Sequence, residues 1–296
     1  MTTPHAPFAA GRDDPSRIRL TPATVTTELA RLTDRDQWIL ALLDEHKVFT
    51  TEQLTEVAFG ALGRARNRLN TLHQRGVLDR FRHLVRPGSQ SWRWTLGPVG
   101  AAILAAGRDE SPPRPGSVRE ATMRLAASPQ LAHRLGLNGF FTALYAHARH
   151  RQGVELAGWW SEARARRATG DLARPDAAGL WQVGDRKVAF WLEYDRGTEP
   201  VRSRLVGKLD DYANLAGTKW AFPLLFWLPT AARESHLHTA LASAGRVQGL
   251  LVATTCAEFA QAHGGPAGPV WQPVGRTTRR KLADLPASGG GQSWDG

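Results

Sequence analysis

The sequence predicts an α/β chain of the α+β type, built from two folded domains. Three observations carry that expectation. Three helical patterns followed by two alternating apolar runs occupy residues 32–106. An order α-β-β-β-α-β-α-β follows over 120–262, which suits one mixed sheet flanked by helices. Between them, "GRDESPPRPGSVRE" concentrates Pro, Gly, Ser and charge, and a linker is expected over 107–119.

Residues 1–31 are rich in Pro, Thr and charge without a sustained period, so a flexible arm is expected there. In "LTDRDQWILALL", Trp38, Ile39, Leu42 and Leu43 form a helical stripe behind a cap at Thr33 or Asp34. "TTEQLTEVAF" starts a second helix with Thr50 or Thr51 as its cap, and "ALGRARNRLNTLHQRG" a third that ends at Gly76. "VLDRFRHLV", the turn "RPGS" and "QSWRWTL" then read as a β-hairpin. Three helices and a hairpin make the element order of a winged helix-turn-helix.

Laid out at about 100° per residue, the third helix has two faces. Leu62, Ala65, Leu69 and Leu72 share the apolar one. Arg64, Arg68, Thr71 and Arg75 share another, flanked by Asn67, Asn70 and Gln74. Such side chains can bond base edges and phosphates from a major groove. Arg82 and Arg86 of the hairpin join them, with Arg86 beside the wing tip, and eight arginines stand against Asp79 across 64–93. A solvated helix face, or a winged helix used for protein contacts, is the alternative.

The 296-residue chain is 42% apolar, which excludes a wholly disordered protein. It has no apolar run of about 18 residues and no hydrophobic leader, so a soluble cytoplasmic protein is expected. Cys256 is the single cysteine, which excludes disulfides within the chain and cysteine-cluster zinc. The formal charge of +11 suggests a polyanionic partner. Arginine outnumbers lysine 33 to 5, however, and GC-rich coding alone would produce that. No phosphate-binding G-x-x-x-x-G-K-[ST] loop occurs, which disfavours an ATPase.

In the second domain a helix is expected from Leu131 to about Arg151, then strands at about 154–160, 176–183 and 187–194. A helix over about 199–215, the strand "FPLLFWL", the helix "AARESHLHTALASAG" and the strand "GLLVATT" complete it. Trp159, Trp160, Trp191 and Trp227 lie in or beside these strands and are expected in the core. His236 and His238 fall on a helix, about 200° apart, and so cannot hold one metal together. Residues 263–296, rich in Gly, Pro and Ser around "RTTRRK", are expected to be a disordered basic tail.

The carboxylates of the 174–200 stretch call for chemistry. Glu193 and Asp195 stand two apart on one strand and point to one face. A turn at Gly184-Asp185 would lay Asp176 across from them. Anions that close repel, and a divalent cation relieves the repulsion. The alternative is an ordinary hairpin whose rim acids pair with Arg174 and Arg196. Glu162, after the first strand, is either a fourth acid or part of an exposed charge cluster.

"RPDA" followed by "FWLEYD" is similar to the PD-(D/E)xK motif of restriction-endonuclease-like nucleases, and the predicted α-β-β-β-α-β order matches that core. The whole chain resembles the replication-relaxation family of actinobacterial plasmids and integrated elements. The matching pieces, from about 32 to 228, are "LTDRDQWILALL", "FTTEQLTEVAF", "RLNTLHQRGVLDRF", Trp160 to Glu162, "RPDA", "LEYDRGTE" and "KLDDY". The resemblance implies a role in plasmid replication, transfer or DNA relaxation. It also implies a restriction-endonuclease-like domain behind the winged helix, with Mg²⁺ (or Mn²⁺ as substitute) as cofactor. Asp176 matches the first motif acid and Glu193 the second, with Glu162 as a further candidate ligand.

Asp195 stands where the motif has lysine. Lys208, which shares a helix face with Arg204 and Tyr212, is a candidate replacement; otherwise it pairs with Asp211 or stays in solvent. The two functions implied are a Mg²⁺-dependent DNA-nicking nuclease and a non-enzymatic DNA-binding regulator or accessory factor with a degenerate nuclease-like domain. Expected partners are double-stranded DNA and plasmid replication or transfer proteins. A homodimer is compatible with either function, and a membrane partner is not expected.

Overall fold

Threonine hydroxyls set the starts of the first three helices. Thr21 caps α1 (Pro22–Leu29), Thr33 caps α2 (Asp34–His46) and Thr50 caps α3 (Thr51–Ala58). In the last two, the residue at the third helical position, Asp36 or Gln53, bonds back to close a capping box. The computed structural model describes residues 8–9, 19–83, 90–198, 200–201, 207–244 and 250–286. The chain divides into two units, Met1–Thr142 and Ala143–Gly296.

In the first unit α4 (Leu62–Gln74) ends at Gly76, whose φ of +67° suits glycine at a helix terminus. Its four strands are β1 (Phe8–Ala9), β2 (Phe49–Thr50), β3 (Leu78–His83) and β4 (Arg93–Leu96). They form an antiparallel sheet in the order β1-β3-β4-β2. Ile39, Leu40, Leu43, Leu54, Leu69, Leu72 and Trp94 are buried. Trp38 is 40% exposed, and Leu40 takes the inward place expected of it.

Two expectations change here. Within the expected arm 1–31, residues 8–9 form strand β1 and 22–29 form helix α1, the latter because Thr21-Pro22 is a cap followed by a proline at the first helical position; residues 1–7 and 10–18 lie outside the described residues. The predicted linker 107–119 lies inside the first unit, where α5 (Pro98–Ala106) precedes it and α6 (Pro115–Ala126) begins within it. Pro115 sits at a helix start, where its missing N–H costs nothing. The division between units falls within α7 (Leu131–Ala148).

The second unit is a seven-stranded mixed sheet, which establishes the α+β class. Its strands are β5 (Val154–Ser161), β6 (Ala177–Val183), β7 (Arg186–Tyr194), β8 (Leu224–Leu228), β9 (Val252–Cys256), β10 (Pro269–Pro273) and β11 (Arg280–Lys281), paired in chain order. β5, β6 and β7 are antiparallel, β7, β8 and β9 parallel, and β10 and β11 antiparallel again. Helices α8 (Glu162–Ala168), α9 (Lys208–Ala213), α10 (Ala231–Ala244) and α11 (Ala257–Ala262) lie between strands. β7 is buried from Val188 to Glu193, as a strand covered on both faces must be. Gly179 of β6 stands across from Phe190, and a Cβ there would come within 2.2 Å of the ring.

The expected basic tail is folded as far as residue 286. Val270 and Trp271 are fully buried, and Arg279 forks onto the buried Glu234 at 3.0 and 2.7 Å. A buried carboxylate needs such a partner, which draws the basic segment onto the sheet. Residues 287–296 lie outside the described residues. Among the described residues, no helix is long and apolar enough to cross a membrane.

Candidate functional site

The β6–β7 hairpin brings the first acids together. Its register pairs Ala177 with Leu192, so Asp176 falls beside Glu193 at the end of the ladder. The Tyr194 backbone N–H donates to Asp176 Oδ2 at 2.8 Å, fixing the carboxylate against β7. α9 then lays two side chains, one turn apart, over Glu193. The Tyr212 hydroxyl donates to Oε1 at 2.6 Å, and Lys208 Nζ donates to Oε2. The same ammonium lies 3.8 Å from Asp176 Oδ1.

Glu193 is almost wholly buried. Burial, and then the nearby Asp176 carboxylate, push its acid up to about 8 against the pull of Lys208 and Tyr212. Burial and the Glu193 carboxylate hold the Tyr212 phenol well above its ordinary range. Leu209 and Tyr212 anchor α9 in the core that holds Trp191 and Leu224. Arg204, expected on the same helix face, lies outside the described residues, as does most of the expected helix before Lys208.

Asp195 has a different partner. Arg233 of α10 forks onto it, with Nη2 3.1 Å from Oδ1 and Nε on Oδ2, and the Gly197 N–H adds a third bond at 2.9 Å. Sequence reasoning missed Arg233. The available signal was topological: β8 runs parallel to β7, so the helix after β8 starts beside the end of β7. Glu162 is exposed in the first turn of α8. Among the described residues, no group of three or more His, Cys, Asp or Glu is placed to hold a metal ion. The structure thus brings Asp176, Glu193 and Lys208 together and leaves Asp195 and Glu162 outside that cluster.

In the first unit, α4 buries Ala65, Leu69 and Leu72 as its pattern requires, with Leu62 only half-buried. Two of its arginines are bound to acids. Arg68 Nε lies 3.0 Å from Asp36 Oδ1 with Nη2 on Oδ2, and Arg75 pairs with Glu28 of α1. Burial raises the Asp36 acid, but the bonds from Arg68 and Thr33 outweigh it and hold the group below its ordinary range. The exposed side of α4 carries Arg64, Arg66, Asn67, Asn70, Thr71 and Gln74. On the neighbouring hairpin, the Arg80 and Arg82 guanidiniums lie over the Trp92 ring at 4.2 and 4.3 Å. Arg86 lies outside the described residues.

A protein-family model described as replication-relaxation matches residues 40–224. The chain belongs to the replication-relaxation family. The matched span includes α4, Asp176, Glu193, Asp195 and Lys208, so both candidate sites lie within what defines this replication-relaxation chain. No curated protein and no solved structure matches it. Asp176 and Glu193 are two oxygen-donor acids that share one cationic neighbour, the Lys208 ammonium. Mg²⁺ itself commonly takes only one or two carboxylates, with water and phosphate oxygens completing its shell.

Proposed function

We propose that this replication-relaxation protein binds double-stranded DNA in plasmid or mobile-element replication, relaxation or transfer, and that its second unit nicks DNA with Mg²⁺. The observation that carries the reading is the Lys208 ammonium held at both motif acids, Asp176 and Glu193. Lys208 is then the motif lysine moved from just past the end of β7, where Asp195 stands, to the following helix. The fold proposed for the second unit is restriction-endonuclease-like, with a PD-(D/E)xK-type site. For the first unit it is a winged helix-turn-helix.

Asp176 and Glu193 would hold the Mg²⁺, or Mn²⁺ in its place. The chemistry a divalent cation would supply there is to ready a water for attack on the phosphodiester and to stabilise the leaving oxygen. Tyr212 fixes one oxygen of Glu193, so the carboxylate keeps a single orientation. Lys208 supplies positive charge where the phosphorane-like negative charge develops. In the first unit, Arg64, Asn67, Asn70 and Thr71 of α4 would enter the major groove, with Arg82 on the backbone beside it. Replication or transfer proteins, and a second copy of the chain, are the further partners this reading includes, in the cytoplasm.

Conversion of supercoiled plasmid to open circles tests the enzyme. With Mg²⁺ or Mn²⁺, wild type is expected to nick, and Asp176→Ala, Glu193→Ala and Lys208→Ala each to lose at least about 100-fold in rate. A second reading, a non-enzymatic accessory factor, is favoured by Glu193 having both oxygens engaged by Tyr212 and Lys208. Absence of open circles with wild type under either metal selects that reading.

A further inference from the structure

Asp176 immediately precedes β6, whose neighbours β5 and β7 each lead into a helix of one core cluster. On one side α9 brings Lys208. On the other, β5 ends opposite the start of β6, with Ser161 paired to Ala177, and α8 begins at the next residue. Buried Ala165 of α8 and Ala173 of the return to β6 belong to the same core cluster as Leu209 and Tyr212 of α9. α8 and its return therefore follow the strand on the opposite side of β6 from β7, the strand that leads to α9 and Lys208.

The outer side of this stretch is basic. Arg164, Arg166, Arg167 and Arg174 are exposed, against Glu162 and Asp171 in the same stretch. Asp171 is taken by Arg166 and lies 3.9 Å from Arg174 Nε. The Arg164 guanidinium lies over the buried Trp160 ring, 5.1 Å from its centroid. A stacked guanidinium has less freedom to lose when its fork closes on a phosphate. An arginine-rich chain also places arginines on surfaces for solvation alone. This ridge differs in following β5, the strand that borders β6 on the side away from Glu193.

We propose that Arg164, Arg167 and Arg174 form a backbone-binding ridge that holds the duplex across Asp176 and Lys208, separate from the α4 contact in the first unit. The proposal rests on the reading that the second unit acts on DNA. The partner is the phosphodiester backbone, without base selection, because a ridge of arginines beside the site offers charge and forks to phosphate oxygens.

The test uses the full chain and a fluorescein-labelled duplex, with affinity measured by anisotropy across a salt series. Each phosphate contact contributes about 0.9 to the slope of log K against log salt. The triple variant Arg164→Gln/Arg167→Gln/Arg174→Gln is expected to lower that slope by about 2–3 and to keep the wild-type melting temperature. The control, Arg149→Gln/Arg151→Gln in the same unit, is expected to change it by less than about 0.5. An unchanged slope in the triple variant, or equal losses in triple and control, overturns the ridge. Loss of slope in a protein that nicks nothing keeps the ridge and removes the nuclease. A wild type that binds no duplex removes both.

Discussion

Asp36 sits in the first turn of α2 with no exposed side-chain surface, held ionised by Thr33 and by the Arg68 fork. Its folded acid is stronger than the ordinary aspartate near 3.8, so the unfolded chain takes up the proton first. The stabilisation is therefore complete above that value and is lost as the pH falls through the lower folded one. Urea unfolding should show Asp36→Asn less stable by about 2–3 kcal/mol at neutral pH, with the gap closing below the aspartate range. A gap that stays constant into strong acid would show that the charge is not what stabilises. Glu193 and Asp195 make the complementary point. Two buried acids, two residues apart, take cations from different helices, Lys208 of α9 and Arg233 of α10. The nearness of Asp176 to Glu193 was legible in the hairpin register, which grouped Asp195 with them equally, and Lys208 entered through motif order with Asp211 or solvent as its alternative. The Asp195–Arg233 pair was not legible, since it depends on where a crossover helix lands.

Among the elements, α4 shows most plainly what periodicity does and does not decide. It separates Leu69 and Leu72 from the arginines, but it cannot say whether an arginine meets solvent or an acid on a neighbouring helix. Arg68 and Arg75 meet Asp36 and Glu28, and the second of these acids lies in a helix hidden within the expected arm. Arg68→Ala should therefore lower the melting temperature by several degrees in calorimetry, because it leaves the buried Asp36 without its cation, and Arg75→Ala by less, because Arg31 still pairs with Glu28. Arg64→Ala/Asn67→Ala/Asn70→Ala should leave melting unchanged and weaken duplex binding at least about 10-fold. The reverse pattern would move the DNA contact away from the exposed side of α4. The elements missed, α1, α5, α6, α8, α11, β1, β2, β10 and β11, are short or begin at prolines, so their periods are too brief to separate from turns.

For the whole chain, the order of long elements and the α+β class followed from apolar spacing. The division within α7 did not, because a proline-rich stretch can start a helix as well as interrupt one. The C-terminal segment was misjudged on composition. Arg279 and Trp271, which tie it to the sheet, look like any other arginine and tryptophan until Glu234 and the sheet itself are in place. The proposed function depends on the second unit holding a divalent cation at Asp176 and Glu193, the two acids that Lys208 approaches. Titration of Mn²⁺ into the full chain, followed by loss of the free-ion paramagnetic resonance signal, measures that claim directly. The account predicts that wild type in the presence of duplex removes one ion per chain, and that Asp176→Asn/Glu193→Gln removes none. Equal uptake by both proteins would contradict it.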